Sequence, residues 1–230
     1  MSKWIQDAGH GGKDPGAVTK GNTEKVYTLE AALYVDKRLD ELGIKSDVTR
    51  SSDVTLDQGP RTGKVKAFDK CISHHFNAGG GSGFEAIHSI YSNGKFEHLI
   101  AEEFKKAGYP VRPRSVYFKK YGNNDYYYMH RQTGKCRTTI VEYDFVDGPQ
   151  SEKIKDKAYR EGMYECVVRA ICRDEGVTYK APNQPKPQSK PSNKGGLYKV
   201  QVGAFSDKSN ADKLAADLKK KGYSTYIVQE

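Results

Sequence analysis

Lys3-Trp-Ile-Gln-Asp-Ala-Gly-His-Gly-Gly12 decides how the rest of the chain is read. Residues 3–8 predict a strand, and Gly9, Gly11 and Gly12 around His10 predict a tight turn directly after it, since glycine adopts strained backbone angles at little cost. Working outward, residues 24–42 place Val26, Leu29, Leu33, Leu39 and Leu42 three or four apart, as one face of a helix does. Asn22 or Thr23 can cap its start, and Gly43 suits its end. Residues 45–50, 71–76, 84–91 and 138–145 read as further strands. Phe96, Leu99, Ile100 and Phe104 mark a helix ending near Gly108, and a last helix spans about residues 151–175 before Gly176. Alternation of this kind predicts an α/β fold: a layered, largely parallel sheet flanked by helices. Sites in such sheets collect at the carboxyl ends of the strands.

Composition narrows the function classes. The chain has 230 residues, 36% of them hydrophobic, enough for one substantial domain and something small. No run approaches the roughly eighteen apolar residues of a membrane span, so no membrane insertion is expected. The start of the chain lacks the apolar stretch and small-residue cleavage site of a signal peptide, which predicts synthesis in the cytoplasm. Cys71, Cys136, Cys166 and Cys172 form no Cys-x-x-Cys pair and read as buried reduced thiols.

Residues 181–196 hold four prolines and no large apolar side chain, the composition of a solvated spacer. The predicted organisation is a catalytic domain over 1–176, a Pro/Lys-rich linker over 177–196 and a small C-terminal unit over 197–230. Residues 177–230 contain ten lysines against four acidic residues, so they carry six of the nine net positive charges. That excess suits a polyanionic partner, but no nucleic-acid-binding motif accompanies it.

A hydrolytic zinc site needs three N or O ligands, an open position for water and a carboxylate to move protons. His10 in its turn, Glu24 at the start of a helix, His74 or His75 near a strand end, and Glu142 within an apolar strand are the candidates. Glu142 carries the clearest signal, because a carboxylate in an apolar strand is costly to bury without a partner. Adjacent strand residues point to opposite faces, so one of the two histidines reaches a shared site and the other does not.

These segments, in this order, resemble the type 3 N-acetylmuramoyl-L-alanine amidases of bacterial cell-wall hydrolases and phage endolysins. Asp7-Ala-Gly-His-Gly-Gly12 is similar to that family's Asp-Pro-Gly-His-Gly-Gly, with Ala8 in place of Pro. Gly21-Asn-Thr-Glu-Lys25 matches the segment with the second ligand, and Val48-Thr-Arg-Ser-Ser-Asp53 with Arg61 resembles its Thr-Arg-x-x-Asp…Arg region. Ser73-His-His-Phe-Asn-Ala78 fits Ser-x-His-x-Asn-Ala, and Ile140-Val-Glu-Tyr-Asp-Phe-Val146 resembles the strand with the catalytic Glu. The resemblance implies a Zn²⁺ ion held by His10, Glu24 and His75, with Glu142 as general base and then general acid. It implies peptidoglycan as substrate, cut between N-acetylmuramic acid and L-alanine. His74 is then a packed residue beside the site. Tyr117, Phe118, Tyr121 and Tyr126 to Tyr128 form an aromatic segment, with His130 a candidate helper.

The C-terminal unit reads as a strand over 197–205, a helix over 210–221 and a strand over 223–228. Its Val200-Gln-Val-Gly-Ala-Phe205 core resembles half of a SPOR-type peptidoglycan-binding domain, a family that normally has two such halves. Three expectations follow from the single half: pairing with its counterpart in a second molecule as a homodimer, folding against the enzyme, or partial order. A zinc peptidase cutting within the stem peptide and a non-catalytic wall-binding protein stand as alternative functions. A product made in the cytoplasm and acting on the wall after release suits either a phage lysin or an enzyme of mother-cell lysis.

Overall fold

The computed structural model describes residues 1–19, 21–182 and 202–227, and divides into two compact units, Met1–Pro182 and Asn183–Glu230. In the first unit, five strands form one sheet: β1 (Trp4–Ala8), β2 (Lys70–Asn77), β3 (Phe84–Ile87), β4 (Val111–Tyr117) and β5 (Arg137–Phe145). Their spatial order is β1-β2-β5-β3-β4. The pairs β1·β2, β2·β5 and β3·β4 are parallel, and β3 pairs antiparallel with β5. The sheet is therefore mixed but mostly parallel, as the alternation of elements predicts.

Helices cover both faces. α1 (Glu24–Glu41), α3 (Lys95–Lys106) and α4 (Lys157–Glu175) enclose the larger core, while α2 (Gln58–Val65) and the short helix Tyr128–Arg131 lie over the smaller one. The larger core packs Trp4, Ile72, Phe76, Phe84, Val141 and Tyr143 of the sheet against Val35, Phe104 and Val167 of the helices. Phe84 stacks on Phe104 with ring centroids 4.0 Å apart. Each fully buried side chain of that size contributes about 1.5–3 kcal/mol relative to exposure. The smaller core holds Ile5, Val65, Cys71, Cys136 and Ile140. All four cysteines are free and buried.

Several elements depart from expectation. In α1 the inward face is Tyr27, Ala31, Ala32, Val35 and Leu39, while Val26 and Leu33 are exposed. Small alanines let the helix approach the sheet, and apolar spacing alone does not say which stripe is used. Thr23 stands at the N-cap without a side-chain bond, and Asn22 instead donates to the carbonyls of Val146 and Ser151. Residues 45–50 run beside β1 as an irregular segment: Lys45 and Asp47 carbonyls accept the Trp4 and Gln6 amides, and the one parallel bridge is Gln6 to Val48. β3 stops at Ile87, since Ser89 and Ile90 turn aside to bond Asp125. β4 was not expected at all; Pro113 within it suits an edge strand, which is its place. The last helix is broken at Asp156, which caps α4 by accepting the Ala158 amide.

The first unit continues past Gly176. Tyr179 donates to Glu165 at 2.7 Å, and Arg38 donates to the Lys180 carbonyl at 2.6 Å. In the second unit, α5 (Lys208–Lys220) is present, with Asp207 capping it. Residues 202–205 and 223–227, the described parts of the two expected strands, are not part of a strand. Val202, Phe205, Tyr223 and Ile227 are exposed, and no residue of α5 is buried among the described residues. Residues 197–201 and 228, and the spacer from 183 onward, lie outside the described residues.

Candidate metal centre and active site

The site is built at the carboxyl ends of β1, β2 and β5. β1 ends beside His74, with Ala8 its register partner. Beyond Ala8 the chain enters a left-handed turn. His10 has φ +58°, the only positive value on a non-glycine among the described residues, and Gly11 and Gly12 follow at +121° and +58°. Gly9 is needed for a different reason. A Cβ there would lie 2.4 Å from His75 Cε1.

His10, Glu24 and His75 converge, with one ligand atom from each lying within 4.8 Å of the others. Glu24 is buried at the first position of α1, where a carboxylate also suits the helix dipole. Its Oε1 lies 3.1 Å from His10 Nε2 and 3.1 Å from His75 Nδ1, and accepts the Phe76 amide at 3.1 Å. Its Oε2 accepts the Ala17 amide at 2.8 Å. Burial pushes the Glu24 pKa up, but the two imidazoles outweigh it and hold the carboxyl well below the usual range. Burial likewise lowers the His10 pKa, and bonds to Glu24 and then Asp14 more than reverse it. Asp14 Oδ2 accepts from His10 Nδ1 at 2.8 Å, which turns Nε2 toward Glu24 and His75. No ion is present in the structure. The donor set of two imidazole nitrogens and one carboxylate, with a carboxylate behind one imidazole, fits a catalytic zinc with a position left for water.

Glu142 occupies the same row. It is the register partner of His75 across β2·β5 and of Glu85 across β5·β3, so three functional groups stand side by side on one face. The β2 register shifts just after His75. Glu142 Oε2 is buried without a hydrogen-bond partner among the described residues. Burial, then the charges of Glu24 and Glu85, raise the Glu142 pKa well above the ordinary carboxylate range. Glu85 is itself bonded to Asn77 at 2.8 Å and Arg112 at 3.0 Å. Glu85 was missed in the sequence although it bears the same signal as Glu142, a carboxylate inside an apolar strand, Phe84-Glu-Ala-Ile87.

The remaining candidates fall elsewhere. His74 is fully buried between Gln6 and Tyr143, at 3.2 and 2.9 Å, and burial pushes its pKa down to about 3. It lies in the core, away from the three converging groups. Tyr117 and Tyr127 are half-buried and feel the Glu142 charge, whereas Phe118, Tyr121 and Tyr126 are exposed. His130 is not brought to the His10–Glu24–His75 cluster; its imidazole faces the backbone of Ile87 and Thr138, and burial lowers its pKa to about 4. Asp144 closes a turn by accepting the Gly83 amide at 2.8 Å.

The N-acetylmuramoyl-L-alanine amidase family model matches residues 5–173, and the SPOR domain model matches residues 176–230. The chain is 32% identical to N-acetylmuramoyl-L-alanine amidase CwlM of Bacillus licheniformis, over 99% of this chain and 85% of that protein. It is 31% identical to the sporulation-specific N-acetylmuramoyl-L-alanine amidase of Bacillus subtilis, with the same coverage of each chain. The fold matches the catalytic domain of CwlV from Bacillus (Paenibacillus) polymyxa var. colistinus, with a TM-score of 0.68 and 23% identity over 77% of this chain and 100% of that one. The chain belongs to the N-acetylmuramoyl-L-alanine amidase family. It is an enzyme, an amidase acting on peptidoglycan, which decides among the three functions open from the sequence. Among the described residues no helix is long and apolar enough to cross a membrane.

Proposed function

We propose that this amidase is zinc-dependent, with His10, Glu24 and His75 holding the ion and Glu142 moving the proton. The bond cut joins the lactyl carbonyl of N-acetylmuramic acid to the L-alanine of the stem peptide. One observation carries the reading: three ligand atoms within 4.8 Å of one another stand beside a buried carboxylate oxygen that has no hydrogen-bond partner among the described residues.

A zinc ion bound there supplies Lewis acidity, polarising the scissile carbonyl and lowering the pKa of a water to about 7. Glu24 offers one carboxylate oxygen between the two imidazoles, and Asp14 keeps the His10 proton on Nδ1 so that Nε2 is free to ligate. Glu142 takes a proton from the attacking water and returns it to the leaving nitrogen of L-alanine. Its raised proton affinity favours the return step, and its position beside His75 favours the first. Tyr117 and Tyr127 lie close enough to feel the Glu142 charge.

The C-terminal unit adds wall affinity, in keeping with its match to the SPOR model and its lysines. Pairing of the single SPOR-like half with that of a second copy would add avidity for a repetitive wall polymer. Metal analysis tests the centre: the purified full chain should carry one zinc, lost in His10→Ala, with wall clearing abolished by chelator and restored by zinc. A fully active metal-free chain would refute it.

A further inference from the structure

The ligand set and Glu142 leave the Thr49-Arg50…Asp53…Arg61 segment without a task, yet each of these side chains ends on the turn that carries His10. Arg50 donates from Nε to the Ala8 carbonyl at 3.1 Å and from Nη2 to the Gly9 carbonyl at 3.0 Å. Arg61 donates from Nη1 to the Ala8 carbonyl at 2.6 Å and from Nη2 to the His10 carbonyl at 2.7 Å. Lys25 Nζ reaches the Gly12 carbonyl at 2.9 Å. Four carbonyls of one turn therefore face cations. On the donor side, Thr49 Oγ1 accepts the Ala8 amide at 3.2 Å and Asp53 accepts the Gly12 amide at 2.7 Å.

Behind the turn, Asp7 is buried and accepts from Arg61 at 2.6 Å, Thr49 at 2.8 Å and Ser73 at 2.7 Å. The last bond ties the turn to β2, two residues before His75. Arg50 and Arg61 are each only 3% exposed; the buried Asp7 carboxylate pairs with Arg61, while Arg50 is bonded to carbonyls and the Thr28 hydroxyl. Burying two guanidiniums is costly where apolar packing would do. What they hold is a histidine in the left-handed region, a conformation that an L-residue does not choose unaided.

We propose that Thr49, Arg50, Asp53 and Arg61 are positioning residues for the metal centre. They impose the His10 backbone conformation so that Nε2 faces Glu24 and His75 before an ion arrives, and thereby set metal affinity. The proposal rests on the zinc reading of the site. Forked donors suit the task, because a guanidinium holds two carbonyls at fixed separation and an ammonium does not.

The test is Zn²⁺ affinity of the full chain by competition with a chromophoric chelator, with the Co²⁺ absorption spectrum and thermal unfolding of the metal-free protein as second readouts. Asp53→Asn, at an exposed side chain, and Arg50→Lys should each weaken binding about 10- to 100-fold, the range for groups that orient a ligand. Arg61→Gln strands the buried Asp7 and threatens folding, so Arg61→Lys accompanies it and should recover part of the lost affinity. Arg38→Lys, at a buried arginine bonded to Glu165 and Glu41, should lower thermal stability and leave affinity unchanged. Wild-type affinity in both Asp53→Asn and Arg50→Lys, or equal weakening by Arg38→Lys, overturns the clamp while leaving the zinc site standing. A wild-type chain that binds no ion overturns the site and the clamp together.

Discussion

His75 and Glu142 are register partners on adjacent parallel strands, so an imidazole of the His10–Glu24–His75 cluster and a buried carboxylate leave the sheet side by side on one face. Neither position depends on a loop. The sheet itself sets the separation between the group proposed to bind metal and the group proposed to move the proton, and strand-borne sites hold such geometry closely.

Gly9 has no room for a side chain on the His75 side, since an added Cβ would meet His75 Cε1 at 2.4 Å and the His74 carbonyl at 2.8 Å. Gly9→Ala should displace the imidazole and weaken zinc binding about 10- to 100-fold while the protein stays folded. Isothermal titration with zinc, alongside circular dichroism, measures both. Unchanged affinity would show that the close approach of Gly9 to His75 has no bearing on the metal.

Glu85 faces Glu142 directly, and its charge is one of the causes that raise the Glu142 pKa, after burial and Glu24. Removing a like charge favours the ionised form. Glu85→Gln should therefore move the acidic limb of the kcat/KM profile to lower pH. A limb that stays in place, or moves upward, contradicts the proton-transfer role given to Glu142.

Acid should destabilise the metal-free protein before most carboxylates titrate. Burial holds His74 at about 3 and His130 at about 4, below the ordinary 6.5. Both are neutral in the fold at pH values where the unfolded chain binds their protons. Their contribution is thus fully present above pH 6.5 and is lost as pH falls toward 4, with a slope of up to about 1.4 kcal/mol per pH unit for each group. Urea unfolding in chelator between pH 7 and 5 reads this slope. His130→Asn should make it shallower, and an unaltered slope would exclude His130 as a source.

Removing everything after Pro182, the end of the first compact unit, should spare hydrolysis of soluble muropeptides and slow clearing of intact walls. Equal loss on both substrates would mean that the C-terminal unit serves the active site instead. For the proposed pairing, light scattering at micromolar concentration should give twice the 25.7 kDa chain mass. A mass of one chain excludes it.

Motif-bearing segments were the most legible parts of the chain. β1 with its glycine turn, α1, β2 and β5 follow from local pattern, because a strand feeding a glycine-rich turn and a helix with spaced apolar residues leave signals in short windows. The register that sets Glu142 between His75 and Glu85 was not legible, since pairing is decided by tertiary packing. β4 was hidden by Pro113 and its arginines, which read as loop but suit an edge. The inward stripe of α1 was mistaken because Ala31 and Ala32 pack more closely on the sheet than Val26 or Leu33 could. In the C-terminal unit the helix followed from apolar spacing, whereas Val202, Phe205, Tyr223 and Ile227 of the two expected strands are exposed.

The most direct measurement is product analysis of purified walls digested by the wild-type chain and by Glu142→Gln, each assayed for bound zinc. Wild type should release stem peptides with a free L-alanine amino terminus, and chelation should stop the release. Glu142→Gln should keep one zinc per chain and release the same product about 10²- to 10⁴-fold more slowly, the usual contribution of a general base. Undiminished release by zinc-loaded Glu142→Gln, or release by a chain stripped of metal, would contradict the assignment.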